Sequence, residues 1–231
     1  MSLARLSGIA IAMLLTATTC IANGGGSMPS GNAAASFEPR ELSPAEQAKE
    51  SYNTGVKWIK KAKDYDADAD KASTPEKKAK AAEKAGKAYN KALEDFTTAV
   101  GAQPDMVEAW NYIGFANRHL GAYAESLEAY DHALSLSPKY ANAVEYRAEA
   151  YLGLNRIDDA KGAYMDLFRD ARPLSDQLLA AMQKWVSERR QDAKGVAAPV
   201  IDAFEQWVNE RGAIAKQTAS LATGDAAKTW H

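Results

Sequence analysis

The sequence predicts an all-α fold: a helical repeat solenoid of about three helix pairs, followed by a C-terminal helical cap. Three observations predict it. Small, aromatic and proline residues recur at a spacing of 34 residues, and within each recurrence the apolar positions fall three and four apart, as one face of a helix requires. The 231 residues are also 46% hydrophobic and 25% charged, the balance of a chain that closes a water-excluded core.

The period is read residue by residue. Ala92, Phe96, Ala99 and Pro104 form the pattern AxxxFxxAxxxxP, and 34 residues later stand Ser126, Tyr130, Ala133 and Pro138. A further 34 gives Ala160, Tyr164 and Leu167, with Pro173 one residue late, and the same step links Tyr89, Tyr123 and Ile157, Trp110 with Val144, and Gly114 with Ala148. Trp110, Ile113, Gly114 and Asn117 share one face of a first helix, and Gly121 breaks the chain after it. Leu127, Tyr130 and Leu134 line the facing stripe of a second helix, which Pro138 ends. Gly114, lacking a side chain, lets the two helices approach closely. One such pair cannot bury its own apolar face, so neighbouring pairs must stack.

The stretch WNYIGFANRHLGAYAESLEAYDHALSLSP resembles a tetratricopeptide repeat, with Trp110, Gly114, Gly121, Tyr123, Tyr130, Ala133 and Pro138 in that family's signature places. Asn117 and Ser126 depart from it, standing where the family usually has Tyr and Ala. The resemblance covers about residues 48 to 173. It implies a concave face, built from the first helix of each pair, on which a peptide or partner protein lies. Carried over by position, the residues of that face are Glu108, Asn111, Phe115 and Arg118, then Asn142, Glu145 and Glu149. They mix acids, amides, one aromatic and one arginine, a set suited to directional hydrogen bonds with a protein segment. They lack the several lysines and asparagines of the family's clamp for C-terminal carboxylates.

The repeat region is expected over residues 43–173. Ser43 and Glu46 form a capping box with Pro44 in the first turn of the opening helix, which carries Tyr52, Gly55 and Trp58 toward its partner. Gly55 and Tyr89 are 34 residues apart, whereas Gly114 and Tyr123 are separated by 9, so a charged insert occupies about residues 60–86. Its alanine, lysine and glutamate content predicts two overlong helices meeting at a loop near Asp64 to Pro75. Beyond Pro173 the segments KWVSERR and QWVNERG echo each other around Trp185 and Trp207. Leu178, Met182, Trp185 and Val186 make one apolar stripe, and Ile201, Phe204 and Val208 make another, opened by Pro199. These predict capping helices over 174–222 that cover the end of the stack, leaving a frayed tail at 223–231.

At the other end, Arg5 precedes an apolar run from Ile9 to Leu15 and then small residues. The run is too short to span a bilayer, so residues 1–22 read as a bacterial secretory signal peptide cleaved after Ala22, and the protein as exported, periplasmic or secreted. Cys20 offers the rival reading of a lipid-anchored scaffold, although Thr19 precedes it where lipoprotein signals carry Gly, Ala or Ser. Loss of Arg5 with the signal moves the formal charge from -2 to -3. Residues 23–42, with NGGGSMPSGNAAAS, have the composition of a flexible linker.

Chemistry finds little support in the pattern. DYDADAD, Asp64 to Asp70, alternates carboxylates as a calcium loop does, but Ala69 and Pro75 occupy the places of the loop's glycine and its bidentate glutamate, so it reads as a solvated loop and alternatively as a weak calcium site. Lys77, Lys80, Lys84, Lys87 and Lys91 line one helical face, which reads as a solvated face and alternatively as a polyanion-binding one. No aromatics interleave with those lysines as nucleic-acid binders require. His119, His132 and His231 share no ligand spacing, and neither GxSxG nor GxxxxGK occurs. The expectation is therefore a protein-interaction module: not an enzyme, with no cofactor, no metal and no nucleic acid, and at a membrane only if Cys20 is lipidated. The pattern sets no oligomeric state.

Overall fold

The computed structural model describes residues 41–222. The expected signal peptide, the linker up to residue 40 and the tail at 223–231 lie outside the described residues. Among those described there are eight helices and no strand, arranged as successive antiparallel pairs. They are α1 (Pro44–Asp70) with α2 (Pro75–Ala102), α3 (Val107–His119) with α4 (Tyr123–Leu136), α5 (Ala141–Gly153) with α6 (Ile157–Asp170), and α7 (Arg172–Gln191) with α8 (Ala198–Ala222).

The ends of these helices follow from local chemistry. The Glu46 amide donates to Ser43 Oγ at 3.3 Å while the Ser43 amide donates to Glu46 Oε2 at 3.0 Å, the reciprocal pair of a capping box. Thr74 caps α2 by a one-way bond, its hydroxyl accepting from the Lys77 amide, and Pro75 in the first turn needs no donor partner. Gly121 turns the chain between α3 and α4 at φ +78°, a conformation that costs a glycine nothing.

The insert differs from the sequence expectation. The acidic run is not a loop: α1 continues through it to Asp70, and the connection shrinks to Lys71–Thr74. The interleaved Ala67 and Ala69 favour helix, Ala69 is buried, and the Lys71 amide closes the last turn on the Ala67 carbonyl. A helix places Asp64 and Asp68 on one side and Asp66 and Asp70 on another, so the alternation that suits a calcium loop disperses its carboxylates. Asp66 instead accepts from the Tyr89 hydroxyl at 2.5 Å, tying the two long helices together.

Packing depends on rings seated over glycines. A Cβ on Gly114 would lie 2.5 Å from the Tyr130 ring, and one on Gly55 would lie 2.8 Å from Phe96. Tyr130 and Phe96 are both completely buried. Ser126, buried where the resemblance expects Ala, donates its hydroxyl to the Gly114 carbonyl at 2.8 Å, so its polar atom is satisfied inside the pair. Further along, α7 packs against α5 as well as α6. The Trp185 indole N–H donates to the Leu152 carbonyl at 2.8 Å, and Trp185 meets Phe204 of α8 edge to face at 5.3 Å. One buried cluster therefore runs from Leu152 and Tyr164 through Met182 and Trp185 to Phe204 and Val208.

Two glycines separate packing from propensity. Alanine at Gly114 must displace a buried ring, an overpacking cost of about 1–3 kcal/mol that exceeds the propensity gain. Gly86, in mid-α2, has nothing within 4 Å of its would-be Cβ. Alanine there gains up to about 1 kcal/mol. Thermal unfolding is expected to show a lower Tm for Gly114→Ala and a higher one for Gly86→Ala.

Candidate functional site

The first helices stand side by side: α3 contacts α5, and α5 contacts α7. Helix α1 reaches α3 through Tyr52, whose ring centre is 6.0 Å from that of Tyr112, and through Lys63, whose ammonium lies 4.7 Å above Phe115. An aromatic row thus crosses three helices, Tyr52 to Tyr112, Tyr112 to Phe115 at 6.3 Å, and Phe115 to Tyr146 at 5.1 Å. Burial, then the neighbouring Tyr112, pushes the Tyr52 phenol up to about 12; burial, then Glu145, does the same for Tyr146. Both stay neutral and act as rings with hydroxyl handles.

The seven residues expected on the concave face divide into three groups. Glu108 and Asn142 are exposed near the starts of α3 and α5. Asn111, Phe115 and Glu145 are not presented to solvent: their exposures are 2%, 3% and 2%. For Phe115 the reason is the aromatic row. Phe115 is enclosed by Tyr89, Tyr112, Tyr146 and His119, and Tyr146 also closes over Tyr130. Only Arg118 and Glu149 both line an open cavity, and they form an ion pair between α3 and α5.

Beneath them lies an unusual polar layer. Glu145 Oε2 and Asn111 Oδ1 are buried without a hydrogen-bond partner among the described residues. Burial holds the Glu145 carboxyl well above the usual carboxylate range, and its hydrogen bond to and charge repulsion from Glu149 add to this. His119 is stacked on Tyr89 at 4.6 Å, and burial, then the charges of Arg118, Lys63 and Lys184, depresses its imidazole to about 3. It is neutral at physiological pH despite standing 3.5 Å from Asp66.

The cavity, about 330 Å³, is lined by Arg118 and His119 of α3, Glu149 and Leu152 of α5, Lys184, Trp185, Glu188 and Arg189 of α7, and Lys194 beyond it. Arg189 stacks on Trp185 at 5.1 Å and donates through Nε to Asn155 Oδ1 at 3.2 Å, which fixes its guanidinium. With His119 neutral, four cations face two carboxylates, leaving two positive charges uncompensated. Sequence reasoning missed Lys184, Arg189 and Lys194, because α7 falls outside the 34-residue period that located the other positions. The signal was present in KWVSERR, where the basic residues flank the packing tryptophan.

Comparison with known proteins finds one matching family model. Residues 76–141 match the family model of the tetratricopeptide repeat, so the chain carries tetratricopeptide-repeat sequence there. A curated relative is Protein FlbA of Caulobacter vibrioides, 33% identical over 94 residues; the match covers 41% of this chain and only 15% of FlbA. Among solved structures, the first TPR of Spaghetti (RPAP3), bound to an HSP90 peptide, aligns with a TM-score of 0.44 at 18% identity, over 61% of this chain and 94% of that one. MamA aligns with a TM-score of 0.33 at 22% identity, over 66% and 97%.

The buried carboxyl makes stability depend on pH. Folded Glu145 holds a proton that the unfolded chain, at about the ordinary 4.5, releases. Its contribution is complete below that value and is lost as pH rises through the higher folded-state value. Glu145→Gln, which is neutral at every pH, is expected to flatten the decline of stability on the alkaline side and to bring no gain near pH 4, as read by urea unfolding across pH. His119 acts in the opposite sense: its contribution is present above about 6.5 and is lost as pH falls toward about 3.

Proposed function

We propose that this chain is a non-enzymatic interaction module that holds an acidic segment of a partner protein against the inner face of α3, α5 and α7, working outside the cytoplasm. The observation that carries the reading is the excess of positive charge in the cavity around Arg118, Lys184, Arg189 and Lys194. Arg118 is held in place by Glu149 and Arg189 by Asn155 and Trp185, so an incoming carboxylate meets cations whose side-chain freedom is already spent. Lys184 and Lys194 are exposed and supply mobile charge at the rim. Recognition is an equilibrium with no turnover: neutral His119 is stacked between rings, and Glu145 is kept from any substrate by its burial.

The tetratricopeptide repeat content supports a docking role, and the Arg5, Ile9–Leu15 and Ala22 pattern supports export. A partner captured from a cell-envelope extract, then purified, is expected to bind Lys184→Glu with Lys194→Glu at least roughly tenfold more weakly than wild type, with a weaker salt dependence. Equal affinity for both proteins contradicts the assignment of the site. Recovery of the chain in the cytosolic fraction of cells contradicts the assignment of place, and acyl labelling of wild type against Cys20→Ala decides whether a lipid anchor holds it there.

A further inference from the structure

A second cavity, about 410 Å³, opens between the two long helices and is lined by no residue of α3 to α8. Trp58, Lys61 and Tyr65 face it from α1, and Lys84, Lys87 and Lys91 from α2. Helical spacing of three and four puts each set on one stripe, and the antiparallel pairing brings the stripes together. The lysines gather around the rings: Lys61 Nζ lies 5.0 Å from the Trp58 ring centre and 6.0 Å from that of Tyr65, Lys84 lies 5.5 Å from Tyr65, and Lys91 lies 4.4 Å from Trp58. Lys87 is paired with Glu83 at 2.6 Å, but Lys61, Lys84 and Lys91 have no carboxylate partner among the described residues, and Glu94 supplies the one acid in the lining.

We propose that this outer face of the α1–α2 hairpin is a second binding site, for an acidic peptide segment that carries an apolar side chain. The apolar group enters over Trp58 and Tyr65, which are only half-buried, while its carboxylates take up the three unpaired ammoniums. Charge and shape select this occupant. A second copy of the chain presenting the same face brings lysine against lysine, so self-pairing is opposed. An anionic membrane is disfavoured on two counts. None of the exposed large hydrophobic residues, Leu42, Leu136, Leu154, Met165 and Val200, lies here to enter a bilayer, and the exposed Asp64, Asp68 and Asp70 at the hairpin's tip are repelled by its surface. The insert is thus more than a spacer: Lys61, Tyr65 and Lys84 belong to it and would have no counterpart in a repeat of ordinary length.

The test uses the full chain carrying Lys184→Glu and Lys194→Glu, so that the inner cavity no longer attracts acids. The probe is a short fluorescent peptide, capped at both ends, of glutamates interrupted by phenylalanines, read by anisotropy at low salt. Adding Lys61→Gln, Lys84→Gln and Lys91→Gln is expected to weaken its binding by roughly tenfold, with helicity unchanged because all three side chains are exposed. Replacing the peptide's phenylalanines by glycine is expected to weaken binding several-fold. Unchanged affinity after either change overturns the proposal, as does binding of phosphatidylglycerol vesicles by a chain that leaves the peptide free.

Discussion

The close approach of the two helices within a pair is the constraint from which the rest of this structure follows. Tyr130 lies on the bare backbone of Gly114 and Phe96 on that of Gly55, at distances that no Cβ permits. Each ring is then buried at the expense of a single atom, and the first helix of the next pair can settle into the groove beside it. The neighbouring polar atom is provided for as well, since Ser126 spends its hydroxyl on the Gly114 carbonyl. In the third pair Ala148 stands at the matching place and Tyr164 is still completely buried, so the arrangement tolerates one methyl where the helices have already been brought into register.

That register decides what the inner face becomes. First helices set this close bring Tyr52, Tyr112, Phe115 and Tyr146 into contact, and Asn111 and Glu145 on the same helices are buried. A buried carboxyl with no cation of its own keeps its proton, which is a smaller cost than an unpaired charge. Arg118, about two turns beyond Asn111 along α3, pairs with Glu149 at the edge of the same layer. The open polar surface is therefore displaced from the middle of the first helices toward their C-terminal ends, where α7 completes it.

Much of this was legible in the residues, for physical reasons that differ by element. Gly114, Tyr130, Ala133 and Pro138 announce a helix pair because each occupies a place that few other residue types can fill. The capping box at Ser43 was readable for the same reason, being a local bond between residues three apart. The acidic run misled because carboxylate alternation is a ligand pattern only in a loop, and the alanines between the carboxylates favour helix. Of the site, position alone found Arg118 and Glu149. It could not show that Tyr146 closes over Phe115, because that contact depends on how tightly two helices stack. Nor could it bring Lys184 and Arg189 to the site, since the packing of α7 on α5, with its Trp185 bond to Leu152, is a tertiary contact outside the 34-residue period.

The account rests most heavily on α7 being a wall of the inner face, continuous with α5, rather than a detachable lid. Native-state amide hydrogen exchange of the full chain, followed through increasing denaturant below the unfolding transition, tests this directly. Because one buried cluster joins α5 to α8, the slowest amides of α5, α6 and α7 are expected to exchange through a single common opening. An opening of α7 and α8 at much lower denaturant, with α3 to α6 still protected, would contradict it and would remove Lys184, Arg189 and Lys194 from the site.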